Sequence, residues 1–271
     1  MERRVDRVTQ VIAQRSPQVQ KKLLVLGNEA YAQTSPFLRL SEDWFRAPGG
    51  FEEHPHRGMQ TVTFVLDGAL EHRDHTGAHG VLRAGDVQWM TAGRGVLHSE
   101  MPHGRETVHT LQLWLNLPRA MKMGPARYQD QRLAQVPVRR FEGGEVRVYA
   151  GRSGDVTHPH GSDYPMGLAE IRLTAGARLS QEIDRRDRAF LYVLDGGATV
   201  GGRNVQAGDV VWFEPGPGEE IAIAAAGDFR ALLFSGEPIE EPMVAYGPFV
   251  MCTPQEIVQA FEDYQAGRLV A

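Results

Sequence analysis

Two short segments of this sequence each carry a pair of potential metal ligands spaced two residues apart. His54 and His56 form the first pair, and His98 and Glu100 form the second. Residues two apart on a β-strand point to the same face of the sheet, so each pair can direct both side chains at one point. Two such strands side by side would surround a common centre with three imidazole nitrogens and one carboxylate oxygen, at the roughly 2 Å distances that divalent metals require. The spacing therefore predicts a single metal site.

The residues around these pairs indicate that the site is accessible. Pro55 lies between the first two histidines and cannot donate a hydrogen bond to a sheet, which favours an edge strand or the mouth of a barrel. Gly93 and Gly95 precede the second pair and predict a tight turn that lets backbone approach the site closely. A small molecule should therefore be able to reach the predicted metal.

Eight of the ten histidines lie within residues 54–109, so the remaining histidines of this half are competing candidates. Four clustered side chains lie in a polar, glycine-containing segment and are predicted to form an exposed hairpin loop: His72, Asp74, His75 and His79. His103 has no paired ligand. His109 alternates with apolar Val108 and Leu111, which predicts a hydrogen-bonded strand residue.

His158-Pro159-His160 repeats the His-Pro-His sequence in the second half of the chain. No histidine follows it to supply a third ligand. Ser162, Asp163 and Pro165 indicate that it lies in a loop. We therefore predict that it is not a metal site.

Short strands are predicted throughout the segment that contains the metal ligands. From Gly49 to about Leu117, apolar or alternating runs are separated by turn residues, and the clearest are Thr61–Leu66, Ala69–His72 and Val87–Met90. Helices between these strands would need longer periodic segments than the sequence offers. The pattern is typical of an antiparallel barrel or sandwich.

The second half of the chain repeats two segments of the first in the same order. The segment Phe64-Val65-Leu66-Asp67-Gly68 matches Tyr192-Val193-Leu194-Asp195-Gly196, and Ala84-Gly85-Asp86-Val87-Gln88-Trp89 matches Ala207-Gly208-Asp209-Val210-Val211-Trp212. The offsets are 128 and 123 residues, which predicts a duplicated domain. The polar, Gln-rich stretch between Pro118 and Pro137 predicts the junction, with an N-terminal barrel over residues 1–125 and a C-terminal barrel over 126–271.

The end of the chain carries helix signals instead of strand signals. Thr253 and Glu256 have the spacing of a capping box, and Pro254 suits the first helical position. Gly267 marks the expected end of the helix. Three large apolar or aromatic residues fall on one helical face: Ile257, Phe261 and Tyr264.

Composition limits the class of protein. With 271 residues, of which 42% are hydrophobic, the chain can fill two cores, and its formal charge of −5 gives no general attraction to nucleic acid or to anionic lipid. Cys252 is the only cysteine, so it cannot form an internal disulfide, which fits a reducing compartment. The polar N-terminus and the lack of an apolar stretch of about twenty residues predict a soluble, cytoplasmic protein without membrane contact.

Several of these motifs together resemble the pirin family within the cupin superfamily. The resemblance covers most of the chain and includes its tail. It rests on the following segments: His54-Pro55-His56-Arg57-Gly58, Leu66-Asp67-Gly68, Gly85–Gly95, His98-Ser99-Glu100-Met101-Pro102, Gly236-Glu237-Pro238, Glu241-Pro242 and Gly247-Pro248-Phe249-Val250-Met251.

The resemblance implies an all-β bicupin of two tandem cupin-type antiparallel β-barrels with a short C-terminal helix. It implies that His54, His56, His98 and Glu100 ligate the metal and that the second barrel has lost its metal site. The corresponding regions of the second half, Ser180–Asp184 and Glu214–Gly218, contain no histidine. Gln60 departs from the glutamate of the general cupin motif, which we expect to alter only the groups around the ligands.

The resemblance to bacterial pirins also implies a flavonol 2,3-dioxygenase. This activity would open the central ring of a flavonol such as quercetin with O2 and release carbon monoxide, with Glu100 as ligand and catalytic base. Iron is the metal expected from the family, although manganese, nickel, cobalt, copper and zinc also accept imidazole and carboxylate ligands. Phe64, Trp89 and Met90 could line the substrate pocket, but plain core is the favoured interpretation. A monomer is expected.

Two alternatives stay open at the level of sequence. Pirins are also known as transcriptional co-regulators and as partners of metabolic enzymes, so the bound metal could change a surface that a protein partner recognises. Because the chain has no basic nucleic-acid motif, such a role would run through protein contacts. A metal-dependent isomerase of the cupin type, which needs no oxygen, is the second alternative.

Overall fold

The protein is described here by a computed structural model covering residues 1–16, 19–26, 31–158 and 164–271. Contacts divide the chain into two compact units. The unit that we call the first barrel comprises Ile12–Leu133 together with Ile239–Ala271, and the second barrel comprises Met1–Val11 together with Ala134–Pro238. Each terminal segment thus packs with the half of the chain that is distant from it in sequence. The predicted boundaries of 1–125 and 126–271 do not include this exchange.

The first barrel consists of antiparallel strands with two short helices and the C-terminal helix. Its larger sheet has the order β12-β9-β6-β11-β4-β3-β2, the smaller has the order β5-β10-β7-β8, and β24 pairs with β25. The elements are β2 (Gln14–Arg15), β3 (Val19–Leu26), α1 (Tyr31–Thr34), β4 (Phe37–Phe45), β5 (Phe51–His56), β6 (Met59–Asp67), β7 (Ala69–Asp74), β8 (His79–Arg83), β9 (Val87–Thr91), β10 (Val96–Pro102), β11 (Val108–Asn116), α2 (Arg119–Lys122), β12 (Arg127–Gln131), β24 (Val244–Tyr246), β25 (Phe249–Met251) and α3 (Pro254–Gln265).

The second barrel repeats this plan. Its larger sheet has the order β1-β21-β18-β23-β16-β14-β13, with β15 on β14, and the smaller has the order β17-β22-β19-β20. The elements are β1 (Val5–Gln10), β13 (Val138–Phe141), β14 (Gly144–Ser153), β15 (Val156–His158), β16 (Met166–Leu173), β17 (Arg178–Glu182), β18 (Arg188–Asp195), β19 (Gly197–Val200), β20 (Arg203–Gln206), β21 (Asp209–Phe213), β22 (Glu220–Ala225) and β23 (Phe229–Gly236). A 3₁₀ turn, Leu133–Gln135, lies where the two units meet in sequence.

The repeated sequence segments occupy equivalent strand pairs. Phe64 on β6 lies opposite Val87 on β9, and the residues at the same places in the repeat, Tyr192 on β18 and Val210 on β21, also lie opposite each other. Since one-residue slips would turn every side chain to the other face, this shared register is specific. The fold class predicted from the sequence, two cupin-type barrels of antiparallel strands, is confirmed.

The C-terminal helix forms as its sequence predicts. The Thr253 hydroxyl accepts from the backbone N–H of Glu256, and the Glu256 carboxylate accepts in return from the Thr253 backbone. Ile257 is buried in a cluster with Phe249, and Phe261 packs edge-on against the Phe249 ring with the ring centres 4.9 Å apart. The helix therefore packs on the first barrel through Ile257 and Phe261, two of the three residues on its predicted apolar face, whereas Tyr264 is 41% exposed. None of the helices in the described part of the chain is long and apolar enough to cross a bilayer.

Candidate metal centre

Three of the four predicted ligands come together in the first barrel. Strands β5 and β10 run antiparallel, and His54 on β5 lies directly opposite His98 on β10. His56 points to the same face as His54 because it is two residues further along the strand. One ring nitrogen from each of the three histidines lies within 4.8 Å of the others, close enough for a single cation to be shared by all three.

The hydrogen bonds of His54 and His56 leave the same nitrogen free on each ring. Nδ1 of His54 lies 2.7 Å from the carbonyl oxygen of Glu52, and Nδ1 of His56 lies 3.3 Å from that of Pro248. A carbonyl can only accept, so each Nδ1 carries the proton and donates it, and each Nε2 keeps its lone pair. Carbonyl partners of this kind orient metal-binding imidazoles.

Burial adds a second argument for a metal. The Nε2 atoms of His56 and His98 are buried and have no hydrogen-bond partner in the described parts of the chain. A buried nitrogen without a partner is costly, and a cation would satisfy both. The donor set therefore fits a divalent metal.

The protonation of these rings suits metal binding. Burial, reinforced by the neighbouring His54, lowers the pKa of His56 to about 3. Burial also holds the pKa of His98 well below its usual value, with His56 the next contributor. Both rings are therefore neutral at physiological pH, which is the form that ligates metals.

Glu100 is buried beside the histidines but is held by two other side chains. A bulge separates it from His98 in the pairing with β5. One carboxylate oxygen accepts from the Thr63 hydroxyl at 3.1 Å, and the other accepts from the Gln112 amide at 2.6 Å. The group of mutually close ligand atoms contains the three histidines without Glu100, so its role as fourth ligand stays a prediction.

His72 is a residue whose role the sequence interpretation missed. The sequence predicts His72 both at the end of the strand Ala69–His72, which is confirmed, and in an exposed hairpin loop, which is wrong. His72 lies on β7, only 2% exposed, directly opposite Glu100 on β10. Its Nε2 atom is 3.0 Å from Nδ1 of His98. The barrel interior is polar here, so the strand did not show the apolar alternation that identifies an inward-facing residue. The signal available in the sequence was apolar Leu70, which lies two residues before His72 and therefore on the same face of the predicted strand.

The other histidines have structural or surface roles. His109 interacts with a carboxylate oxygen of Glu42 at 2.9 Å, which confirms its prediction as a hydrogen-bonded strand residue. His79 and His103 are exposed. His158 ends β15, whereas Pro159 and His160 lie outside the described residues.

The interior wall next to the histidines is formed by β4 and β11. Arg39 on β4 lies opposite Trp114 on β11, and its guanidinium lies over the indole ring at 5.0 Å from the ring centre. The same indole meets the His56 ring edge-on at 5.1 Å, and its N–H donates to the Gln112 side-chain oxygen at 3.0 Å. This bond fixes the orientation of Gln112, so its NH₂ group is the part that reaches Glu100.

The C-terminal segment of the chain supports the site directly. Besides the contact of Pro248 with His56, the Val250 N–H donates to the Arg57 carbonyl at 3.0 Å. The Arg57 guanidinium forms an ion pair of 2.8 Å with Asp263 on α3 and donates to the Arg94 carbonyl in the turn before β10. The tail therefore bridges the segments that carry the two ligand pairs.

Gln60, which departs from the general cupin motif, is a buried hydrogen-bonding residue. Its side-chain amide donates to the Thr91 hydroxyl at 3.0 Å and joins β6 to β9. Phe64, Trp89 and Met90 are all at most 2% exposed, in agreement with the interpretation that they belong to the core.

The equivalent positions of the second barrel carry aliphatic side chains in place of His72, His98 and Glu100, and Gln181 in place of His54. The offset of 128 residues takes His72 to Val200, which lies opposite Ile223 as His72 lies opposite Glu100. Two residues before Ile223, Ile221 lies opposite Gln181, as His98 lies opposite His54. Aliphatic side chains carry no ligand atom, so these positions cannot reproduce the histidine cluster.

Comparison with known proteins agrees with this architecture. Residues 7–115 match the family model described as Pirin, and residues 168–270 match that described as Pirin C-terminal cupin domain. A pirin-like protein of Solanum lycopersicum is 40% identical over 246 residues, which cover 90% of this chain and 84% of that protein.

Solved structures extend the similarity to the whole fold. The crystal structure of a quercetin 2,3-dioxygenase from Acinetobacter baumannii is 30% identical, has a TM-score of 0.90 and covers 100% of both chains. The bacterial pirin YhhW of Escherichia coli, solved in complex with nickel(II), is 23% identical with a TM-score of 0.69, covering 88% of this chain and 98% of that one. At that identity the second comparison concerns the fold alone.

Proposed function

This chain belongs to the pirin family, and from that premise and its histidine cluster we propose that it is a metal-dependent flavonol 2,3-dioxygenase. The observation that carries the proposal is the convergence of the His54, His56 and His98 nitrogens within 4.8 Å, with a buried carboxylate on the same strand as His98. The similarity to a protein named as a quercetin 2,3-dioxygenase supports the choice of a flavonol as substrate.

In this proposal the three histidines hold one divalent metal, and Glu100 completes the set when the metal binds. Iron is the proposed metal. When bound, the metal would supply Lewis-acid activation of the flavonol's 3-hydroxyl and 4-carbonyl oxygens and an electron route to dioxygen. The neutral rings of His56 and His98 suit this task because they keep their lone pairs throughout the physiological pH range.

Glu100 is the proposed catalytic base. A carboxylate oxygen that comes within about 3 Å of the 3-hydroxyl group could take its proton and leave the flavonol as an anion that reacts with O2. Gln112 and Thr63 hold the two carboxylate oxygens by donated hydrogen bonds. Such bonds orient the carboxylate, and each oxygen keeps a further lone pair that can accept the substrate proton.

The overall reaction is balanced without another reactant. Both oxygen atoms of O2 enter the products, two bonds of the central ring break, and one ring carbon leaves as carbon monoxide. The remaining product is an ester that carries a new aromatic carboxylate.

The test uses the full chain purified without added metal. Elemental analysis identifies the bound metal, and quercetin consumption is then measured on the same sample with and without O2, together with carbon monoxide release. Turnover that needs O2 and releases carbon monoxide supports the proposal. Turnover that persists without O2 would indicate an isomerase instead, and saturable binding of a protein partner without flavonol turnover would favour the regulatory role.

A further inference from the structure

The interior wall of the metal site carries a positive charge that the proposed mechanism does not use. Arg39 lies on β4 opposite Trp114, and side chains directly opposite each other on paired strands share a face. Trp114 and Gln112 are two residues apart on β11 and also share that face, and Gln112 reaches Glu100. Arg39 therefore faces the same interior as the predicted ligands.

The guanidinium of Arg39 lacks the carboxylate partner that several other arginines of this chain have. Arg57 pairs with Asp263, and Arg147 and Arg230 both pair with Glu170. Within the described residues, no carboxylate comes within the 4.0 Å of an ion pair with Arg39, and its buried Nε–H has no acceptor. Burial lowers its pKa, opposed only by Asp43.

Asp43 does not serve as that missing partner. Its carboxylate is engaged by the ammonium group of Lys21 at 3.2 Å and by the Ser41 hydroxyl at 2.8 Å. The Arg39 guanidinium instead lies over the Trp114 ring, which holds it in place without neutralising it. A fixed, partly desolvated guanidinium with a free donor is suited to bind an oxyanion.

Two ring contacts place this donor near the metal ligands. The guanidinium lies 5.0 Å from the centre of the Trp114 ring, and that ring lies 5.1 Å from the centre of the His56 ring. Arg39 therefore lies within reach of a second group on an aromatic ligand whose chelating oxygens occupy the metal.

We propose that Arg39 is an anion-binding residue of the metal site, which selects aromatic chelators that carry a further anionic oxygen such as a carboxylate or sulfonate. This inference rests on the proposed function for the location of the chelating group. In the flavonol reaction, the newly formed aromatic carboxylate belongs to the same chemical class.

The test measures binding without turnover. Nickel-loaded protein is titrated without O2, at about pH 6.5, with quercetin and with quercetin-5′-sulfonate, which share chelating oxygens and differ by one anionic group. Quenching of tryptophan fluorescence gives the two dissociation constants. We expect the wild type to prefer the sulfonate by roughly tenfold, the contribution of one charge-assisted contact.

Arg39→Gln removes the charge, so the ratio of the two dissociation constants should fall to about one. The control is Arg105→Gln, a change at an exposed arginine of the same barrel, which should keep the wild-type ratio. Arg39→Met retains packing on Trp114 and replaces Arg39→Gln if the latter does not fold. An unchanged preference in the Arg39 variants, or no preference in the wild type, overturns the inference.

The outcomes separate this inference from the proposed function. Sulfonate preference without quercetin turnover would keep the anion site and refute the dioxygenase. Turnover without the preference would refute the anion site alone. A loaded wild type that binds neither compound would refute both.

Discussion

The Nε2 atom of His72 lies 3.0 Å from the Nδ1 atom of His98, and both rings are buried. His72 is therefore the acceptor that fixes the proton of His98 on Nδ1, if His98 is to offer Nε2 to a metal. The two carbonyl oxygens of Glu52 and Pro248 do the same for the other two histidines. Each of the three histidines thus has one acceptor for the ring nitrogen that faces away from the proposed metal.

Removal of His72 should weaken metal binding without removing a ligand. We expect His72→Ala to lower the metal affinity by about 10-fold to 100-fold, because His98 loses its orienting partner. His72→Gln can still accept through its amide oxygen and should recover part of the loss. Competition with a chromophoric chelator measures the affinities, and equal affinity in His72→Ala and wild type would contradict this role.

Loss of a ligand should have a larger effect. His54→Ala should abolish stoichiometric metal binding and quercetin turnover together, because two histidines alone make a weak site. Elemental analysis after gel filtration and the O2-dependent assay measure both effects. The matched control is His103→Ala at an exposed histidine, which should retain metal binding and turnover. Activity of a metal-free His54→Ala protein would refute the mechanism.

Gln112 should affect turnover more than metal content. Gln112→Leu removes the 2.6 Å hydrogen bond to Glu100, so we expect kcat to fall by roughly tenfold or more while the metal stays bound, since an unsupported base loses its position. Gln112→Glu places a second carboxylate beside Glu100 and should be worse. If kcat is unchanged in Gln112→Leu, Glu100 is not the base that this bond positions.

The C-terminal segment should contribute strongly to the stability of the first barrel. Phe249 is fully buried, and Phe249→Ala should lower the free energy of unfolding by about 3 to 5 kcal/mol through the cavity it leaves. Because Pro248 is adjacent, metal affinity should fall as well. Urea titration and chelator competition measure the two effects. Tyr246→Ala, at a side chain that is 69% exposed, should change the free energy by less than about 0.5 kcal/mol.

Asp187 gives the second barrel a pH-dependent stability. Burial raises its pKa to about 6, whereas the unfolded chain ionises near 3.9. The folded state therefore keeps a proton that the unfolded state has lost between these values, and stability falls as pH rises through this window.

Asp187→Asn cannot ionise, so it should be more stable than wild type by about 1 kcal/mol at pH 7.5, after allowance for the partial exposure of the group. The difference should disappear near pH 4. Urea titrations at the two pH values test this, with Asp195→Asn as the exposed control. A constant difference at both pH values would contradict the assignment to ionisation.

The sequence predicted those features that local patterns encode. Strand spacing, the two repeated segments and the capping box of α3 led to the bicupin fold, and the i, i+2 spacing led to the histidine cluster. The contacts of His72 and Arg39 could not be predicted from local patterns. Both residues face a polar barrel interior, where inward-facing positions do not show up as alternating apolar residues in the sequence. The return of the tail to the first barrel was equally hidden, since it depends on packing between residues separated by nearly the whole chain.

The contact between His56 and the carbonyl of Pro248, 192 residues later, has a consequence for biosynthesis. A ribosome delivers His54, His56 and His98 well before it reaches Pro248, and the intervening residues take on the order of ten seconds to translate. During that interval the histidines of the nascent polypeptide lack the backbone partner that orients His56. We therefore expect the metal affinity of the first barrel to rise once the segment around Pro248 has been made and packs against His56.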